Sequence, residues 1–337
     1  MTMKFVIALL FASTGCTAAG VHLEARAVAS KRPSNVAAYL TVSEDGAPVT
    51  DLSAEDFGVF EDGEPIEVAR TRQVLLDREL AIAHHTVVLV DHSAATDESV
   101  RNELAAAVSI FVERVRRTQA VTVFAYDGAA ELRHVGEFPR SSDSPRQEVS
   151  ALKRLRPSDT SRNLNGAVLL AAKELDARLG QYRKPLTAGT LLVFAGGPDL
   201  ARRVEESAVY EFSSRTPHTV IAVGIGEGAL ALRDIGKDGF FDAHTADTLS
   251  LAFEEAAHRV AGAHGGGYLF AYCSPARSGK RQLRIEVRLP AKAGDAPELQ
   301  RRGSAYGEFD AEGFSAGCDP STRPDFSRTK RGHAGGP

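Results

Sequence analysis

The stretch best placed to do chemistry is TVVLVDHSAAT, residues 86–96. β-Branched and aliphatic residues run up to Asp91, and the chain then passes into small and hydroxyl-bearing residues. This pattern predicts a buried strand ending in a loop, with a carboxylate at its tip and Ser93 two residues on. A carboxylate and a hydroxyl so placed are hard oxygen donors, suited to magnesium or a similar divalent cation. The carboxylate has a simpler use too, which is to cap the turn that follows it. His84, His85 and His92 are near in sequence, but the strand between them separates the pair from His92, so they read as ordinary surface or loop histidines. GIGEG, residues 224–228, follows a strand but lacks the GxGxxG spacing and has no clear helix start after it, so it reads as a Gly-rich strand exit. No GxSxG, HExxH or Walker-type sequence is present. With no catalytic constellation, the chain is expected to be non-enzymatic and to need no cofactor, magnesium in the first loop being the exception to test.

The elements that must position Asp91 alternate. After TVVLV comes a helix near residues 100–117, where Val100, Leu104, Val108, Phe111 and Val115 recur at helical spacing. Strands AVTVFAY and LRHVGEF follow, then a helical stretch around residues 147–155 and the long helix NLNGAVLLAAKELDARL. Strand TLLVFA, helix RRVEESAVYEFSSR, strand TVIAVGIG, the short FFDAH and helix TLSLAFEEAAHRVAGA complete the series. Strands alternating with helices imply a doubly wound, mainly parallel α/β sheet covered on both faces. Sites in such sheets lie at the carboxyl ends of the strands, where Asp91 and Ser93 are expected.

Both flanks of this series have β pattern. Upstream, short alternating runs are separated by Asp45-Gly46 and Asp62-Gly63, pairs suited to tight hairpins that need positive φ. Downstream, GGGYLFAYCSP and RQLRIEVRLP read as strands. Neither flank supplies enough apolar positions for a core alone, so the two are expected to pair into one small β module.

The chain has 337 residues, 43% hydrophobic and 25% charged, which is ample for a buried core. A net charge of −4 gives no reason to expect nucleic acid as a partner. The first residues form a short basic start, then FVIALLFA, then STGCTAAG, a pattern that reads as a secretory signal. TGC at residues 14–16 resembles a bacterial lipobox, in which Cys16 is the lipidated residue; Ser13 departs from the usual Leu, and cleavage after Ala19 is the alternative. The expected location is therefore the bacterial cell envelope, lipid-anchored to the membrane, with a soluble periplasmic or extracellular protein as the alternative. Cys273 and Cys318 then remain as an even pair in an oxidising compartment, where they could bridge the last strands to the tail or stay as two thiols.

Two sets of residues carry a family resemblance. VVLVDHSAA followed by the α/β series resembles a von Willebrand factor A (VWA) domain. LSAEDFGVFEDGEPIEV resembles the leader of a bacterial subgroup in which a small β module precedes that domain and a terminal strand pair, here GYLFAYCSP and RQLRIEVRL, follows it. The resemblance spans residues 34–290. It implies a partner-binding protein whose divalent ion, where present, is held by three loops in a metal-ion-dependent adhesion site (MIDAS). The first loop of the family reads Asp-x-Ser-x-Ser; here Asp91 and Ser93 are kept and Ala95 replaces the second hydroxyl. In the second loop, Arg162 stands where a Thr is usual before Asn163-Leu164, with Thr160 and Ser161 just upstream. In the third, Gly196 stands where an Asp is usual, and Asp199 lies three residues on. The remaining metal donors would be Asp91, Ser93, Thr160 and Ser161. Loss of two donors and gain of a fixed cation make the loop a degenerate MIDAS, in which Arg162 is expected to pair with Asp91 in place of a metal.

The expected organisation is a signal over 1–19, an N-terminal β module over 26–85, a VWA-like domain over 86–265, C-terminal strands completing the module over 266–312, and a disordered tail over 313–337. The expected function is protein–protein interaction or adhesion at the cell envelope, with an unknown protein partner and without metal. The alternatives are a magnesium- or manganese-dependent ligand binder and an enzyme of unknown chemistry on a doubly wound fold.

Overall fold

The computed structural model describes residues 20–141, 149–263, 265–290, 301–326 and 332–333. Cys16 and the signal lie outside them. In chain order the main elements begin with β1 (Val21–Lys31), β2 (Asn35–Glu44), β3 (Phe57–Glu61) and β4 (Val74–Leu76). The α/β series follows: β5 (Ile82–Asp91), α1 (Glu98–Val115), β6 (Ala120–Tyr126), β7 (Arg133–Phe138), α2 (Leu164–Gln181), β8 (Leu186–Ala195), α3 (Glu206–Arg215), β9 (Thr219–Ile225), α4 (Glu227–Leu232), β10 (Gly239–Ala243) and α5 (Leu249–Ala263). Last come β11 (Gly267–Cys273), β12 (Lys280–Leu289) and β13 (Arg301–Asp310).

The central sheet runs β7-β6-β5-β8-β9-β10 and is parallel except for β7, which is antiparallel to β6. It is a doubly wound, mainly parallel α/β sheet. Strand order reverses between β5 and β8, so the crevice at their carboxyl ends is the topological switch point. All ten residues of β5 are buried. Val88 and Val90 face α1 and α5, while Val87 and Leu89 face α2. A strand covered on both sides must be apolar on both sides, which is why TVVLV lacks alternation. Phe111 of α1 meets Phe253 of α5 edge-on, ring centroids 6.4 Å apart.

The flanks combine into a β sandwich. One antiparallel sheet is β1-β2-β11-β4 and the other places β12 between β13 and β3. Thus β2 from the N-terminal flank pairs with β11 from the C-terminal flank, and β3 with β12. Val36, Ala38, Leu40, Phe270 and Tyr272 fill the space between the sheets with Phe57, Val59, Ile285 and Val287. The alternate residues Ala37, Tyr39, Leu269 and Ala271 face the other way and pack on Ala81, Ile82, Leu186 and Ala188, at the amino ends of the central strands. Both Asp-Gly turns have positive φ at both residues, as tight hairpins require (Asp45 51°, Gly46 81°; Asp62 50°, Gly63 90°).

Several expectations need correction. The module begins at Val21 rather than 26, because AVAS-type alternation in β1 is too weakly apolar to stand out. A six-residue helix, α4, does begin directly after the GIG exit. Residues 313–326 of the expected disordered tail are placed against the body. Phe314 and Phe326 are 7% and 9% exposed, and Cys318 is bonded to Cys273 with Cα atoms 5.8 Å apart. Average composition missed this because two aromatic anchors and one disulfide hold a segment that is otherwise Gly- and Pro-rich. Residues 327–331 and 334–337 lie outside the described ones. Among the described residues no helix is long and apolar enough to cross a membrane.

Candidate functional site

Asp91 ends β5 at the switch point and is fully buried. Its Oδ1 accepts the Ser93 backbone N–H at 2.9 Å. Its Oδ2 accepts the Thr96 hydroxyl at 2.7 Å, the Gly196 backbone N–H at 3.0 Å and Nε–H of Arg162. The Arg162 guanidinium, 3% exposed, also donates from Nη2 to Thr96 Oγ1 at 3.1 Å and from Nη1 to the Pro198 carbonyl at 3.2 Å. Three loops therefore converge on one carboxylate, and the pair Asp91–Arg162 ties β5 to the entrance of α2 and the exit of β8. A buried ion pair holds only when its remaining donors and acceptors are also satisfied, and here each oxygen of Asp91 has a partner.

The glycines of the third loop make room for this. A Cβ on Gly196 would lie 2.8 Å from Thr96 Oγ1, and one on Gly197 would collide with Arg162 Nη1. The glycine at 197 and the guanidinium of Arg162 thus share one space, and the glycine at 196 leaves room for Thr96.

The other candidate donors are elsewhere. Ser93 is buried beside Thr96, their hydroxyl oxygens 3.4 Å apart. Thr160 is exposed. Ser161 turns away from Asp91 and gives both its N–H and its hydroxyl to Asp159 Oδ1, each at 2.8 Å. Asp199 accepts the Asn165 N–H at 3.1 Å and the Arg202 N–H at 2.7 Å, so it braces the start of α2. Among the described residues no three His, Cys, Asp or Glu side chains converge as metal ligands.

The three histidines are buried, each 5% exposed, rather than on the surface. His85 sits between Tyr182 Oη at 3.0 Å and Thr122 Oγ1 at 2.9 Å, and burial pushes its pKa down to about 4. Burial also lowers His92.

A second acid was missed. Asp127 follows the end of β6, one strand over, and its side chain is 1% exposed. Its carboxylate accepts the Ala129 N–H at 2.9 Å, the Ser158 N–H and hydroxyl at 2.7 Å each, and Arg133 Nη2 at 2.9 Å. Burial alone would raise its pKa; these hydrogen bonds and the Arg133 charge outweigh it and hold the carboxyl below its ordinary value. The signal was present in the sequence: FAYDG repeats the strand-then-acid pattern of VLVDH.

No family model and no curated protein matches the chain. Solved structures similar to it include a von Willebrand factor type A protein from Catenulispora acidiphila, 13% identical over 90% of this chain and 76% of that one, with a TM-score of 0.46. They also include proximal thread matrix protein 1 from the mussel byssus, 14% identical over 53% of this chain, TM-score 0.41. The match spans 48% of the mussel protein's length. The manganese-loaded TRAP protein of Plasmodium vivax is 10% identical over 76% of this chain and 99% of that one, TM-score 0.40.

Proposed function

We propose that this chain is a non-enzymatic cell-envelope protein that binds a protein partner through the loop face of its VWA-like domain, and that it does so without a divalent ion. The observation that carries this reading is the Asp91–Arg162 pair. A magnesium site needs about six oxygen ligands in near-octahedral geometry. Around Asp91 the neighbours are instead N–H and O–H donors and a permanent cation. An ion entering there would have to displace a buried guanidinium from Asp91, Thr96 and the Pro198 carbonyl. The residues present do not fit the metal, so the loops are held by the arginine. On that face Leu200 is half exposed at 50%, and Ala94, Ala95, Thr160 and Arg202 of the same loops are exposed as well. The envelope location rests on the signal and on Cys16, which would attach the chain to a membrane by lipid.

The test has two arms. Thermal unfolding with magnesium, manganese or a chelator should give one melting temperature for the wild type, whereas Arg162→Thr should gain stability from magnesium. A wild type stabilised by micromolar magnesium would make the metal-dependent ligand binder the better reading. Crosslinking in intact envelopes should then trap a partner that survives chelation and is lost in Leu200→Asp at unchanged folding. Capture unaffected by that substitution would move the binding surface off the loop face. Cys16→Ser should leave the membrane fraction; equal solubility of both forms would refute the anchor.

A further inference from the structure

At the opposite end of the central sheet lies a cleft of about 630 Å³ between the two domains. One wall is the hairpin after β2, with Pro48 and Thr50. The other is the loop entering β9, the turn after α4, and the outer face of α5. On that helix Glu255, Arg259 and Gly262 recur at helical spacing opposite the buried Phe253, Ala256 and Val260. A cavity of this volume at a domain boundary is of the size that holds small organic ligands.

Two cations on the wall are fixed but unpaired. Lys237 Nζ donates to the Thr216 carbonyl at 2.7 Å. Arg259 Nε donates to the carbonyl of Asp238, the next residue along, at 3.0 Å. Each side chain is thus oriented by one neutral acceptor, both line the same cleft, and among the described residues neither meets a carboxylate. Two like charges lining one cleft favour an anion within it. The Asp238 carboxylate is turned to the start of β9, where it accepts the Val220 N–H at 2.7 Å. Glu255, one turn before Arg259, is the other acid of the wall, and together the two acids bring its formal charge near zero. A monoanion is therefore favoured over a dianion. Pro48, Pro217, Phe241 and Ala263 supply apolar surface for the rest of the ligand.

We propose that this cleft binds an organic monoanion with an apolar body, its charged group held by Lys237 and Arg259. The inference is independent of the loop face, which lies at the other end of the strands. The probe is 1-naphthoate, titrated calorimetrically into the full chain, with neutral 1-naphthol and dianionic 1-naphthyl phosphate as comparisons. Saturable binding of naphthoate, weaker binding of the phosphate and none of naphthol are expected. Lys237→Ala and Arg259→Ala should each weaken naphthoate by about tenfold, the order of one charge-assisted hydrogen bond. Glu255→Gln should tighten the phosphate. Both cations are exposed, so the variants should keep the wild-type melting temperature. No saturable binding by millimolar naphthoate, equal binding of naphthol, or an affinity unchanged in the double variant would each overturn the site.

Discussion

Asp91 and Asp127 sit one strand apart at the same rim, both buried, both saturated by donors, both paired with an arginine. They differ in what they join. Asp127 is served mostly by its own loop and by residues 158–159, with Arg133 six positions away and 28% exposed. Asp91 takes Ser93 and Thr96 from its own loop but also Arg162 and Gly196, 71 and 105 positions away, and its arginine is buried. An acid–arginine couple at a strand end is therefore not by itself the mark of a displaced metal, since this rim has two. What sets Asp91 apart is that its partner occupies space that only a glycine at 197 leaves open, and that the couple closes three loops at once.

The sharpest way to break this comparison is to remove the arginines. Arg162→Ala leaves a fully buried carboxylate without its counter-charge and should cost about 3–5 kcal/mol in chemical denaturation. Arg133→Ala should cost about 1 kcal/mol or less, because that pair is partly solvated and Asp127 keeps its other donors. Equal losses would mean that the two couples do the same work. Next in size is Gly197→Ala, whose methyl would collide with the Arg162 guanidinium. Overpacking of this kind costs about 1–3 kcal/mol, and in the Arg162→Ala background most of it should vanish. Additive losses in that double-mutant cycle would separate the glycine from the arginine.

The acid limb of stability sharpens the contrast further. Asp127 is held below its ordinary value in the folded state, so the unfolded chain binds its proton first as pH falls. Its contribution is complete above the unfolded carboxylate value near 3.9 and is lost as pH drops through the folded pKa. Arg133→Ala should move that loss to higher pH in acid unfolding curves; an unmoved curve would mean that hydrogen bonds alone hold the carboxylate ionised. Smallest of all is Thr160→Ala. An exposed threonine that touches neither acid should shift stability by less than about 0.5 kcal/mol, with or without magnesium. A magnesium-dependent difference in melting temperature would return Thr160 to the first carboxylate.

How far the site was legible depends on distance along the chain. The three loop changes at Ala95, Arg162 and Gly196 pointed to the cation beside Asp91. Thr96 escaped notice although it supplies a hydroxyl to both partners, because it falls just past the motif that drew attention to the loop. Asp127 was overlooked although FAYDG has the same form as VLVDH, and the histidines were misplaced because spacing shows separation along a strand but not which face is covered.

Local chemistry by itself determined the elements: β-branched runs for strands, apolar residues at helical spacing for helices, Asp-Gly at the hairpins, and an acid at the tip of β5. Those properties act within a few residues, so a short window carries them. Only the tertiary structure decided that β2 and β11 are neighbours, that Phe314 and Phe326 fasten the tail, that Lys237 and Arg259 face an open cleft, and which donors reach Asp91. Each of these depends on strand order and on crossovers that bring residues tens to hundreds of positions apart to one place, and burial there, rather than residue type, sets what a side chain must find as its partner.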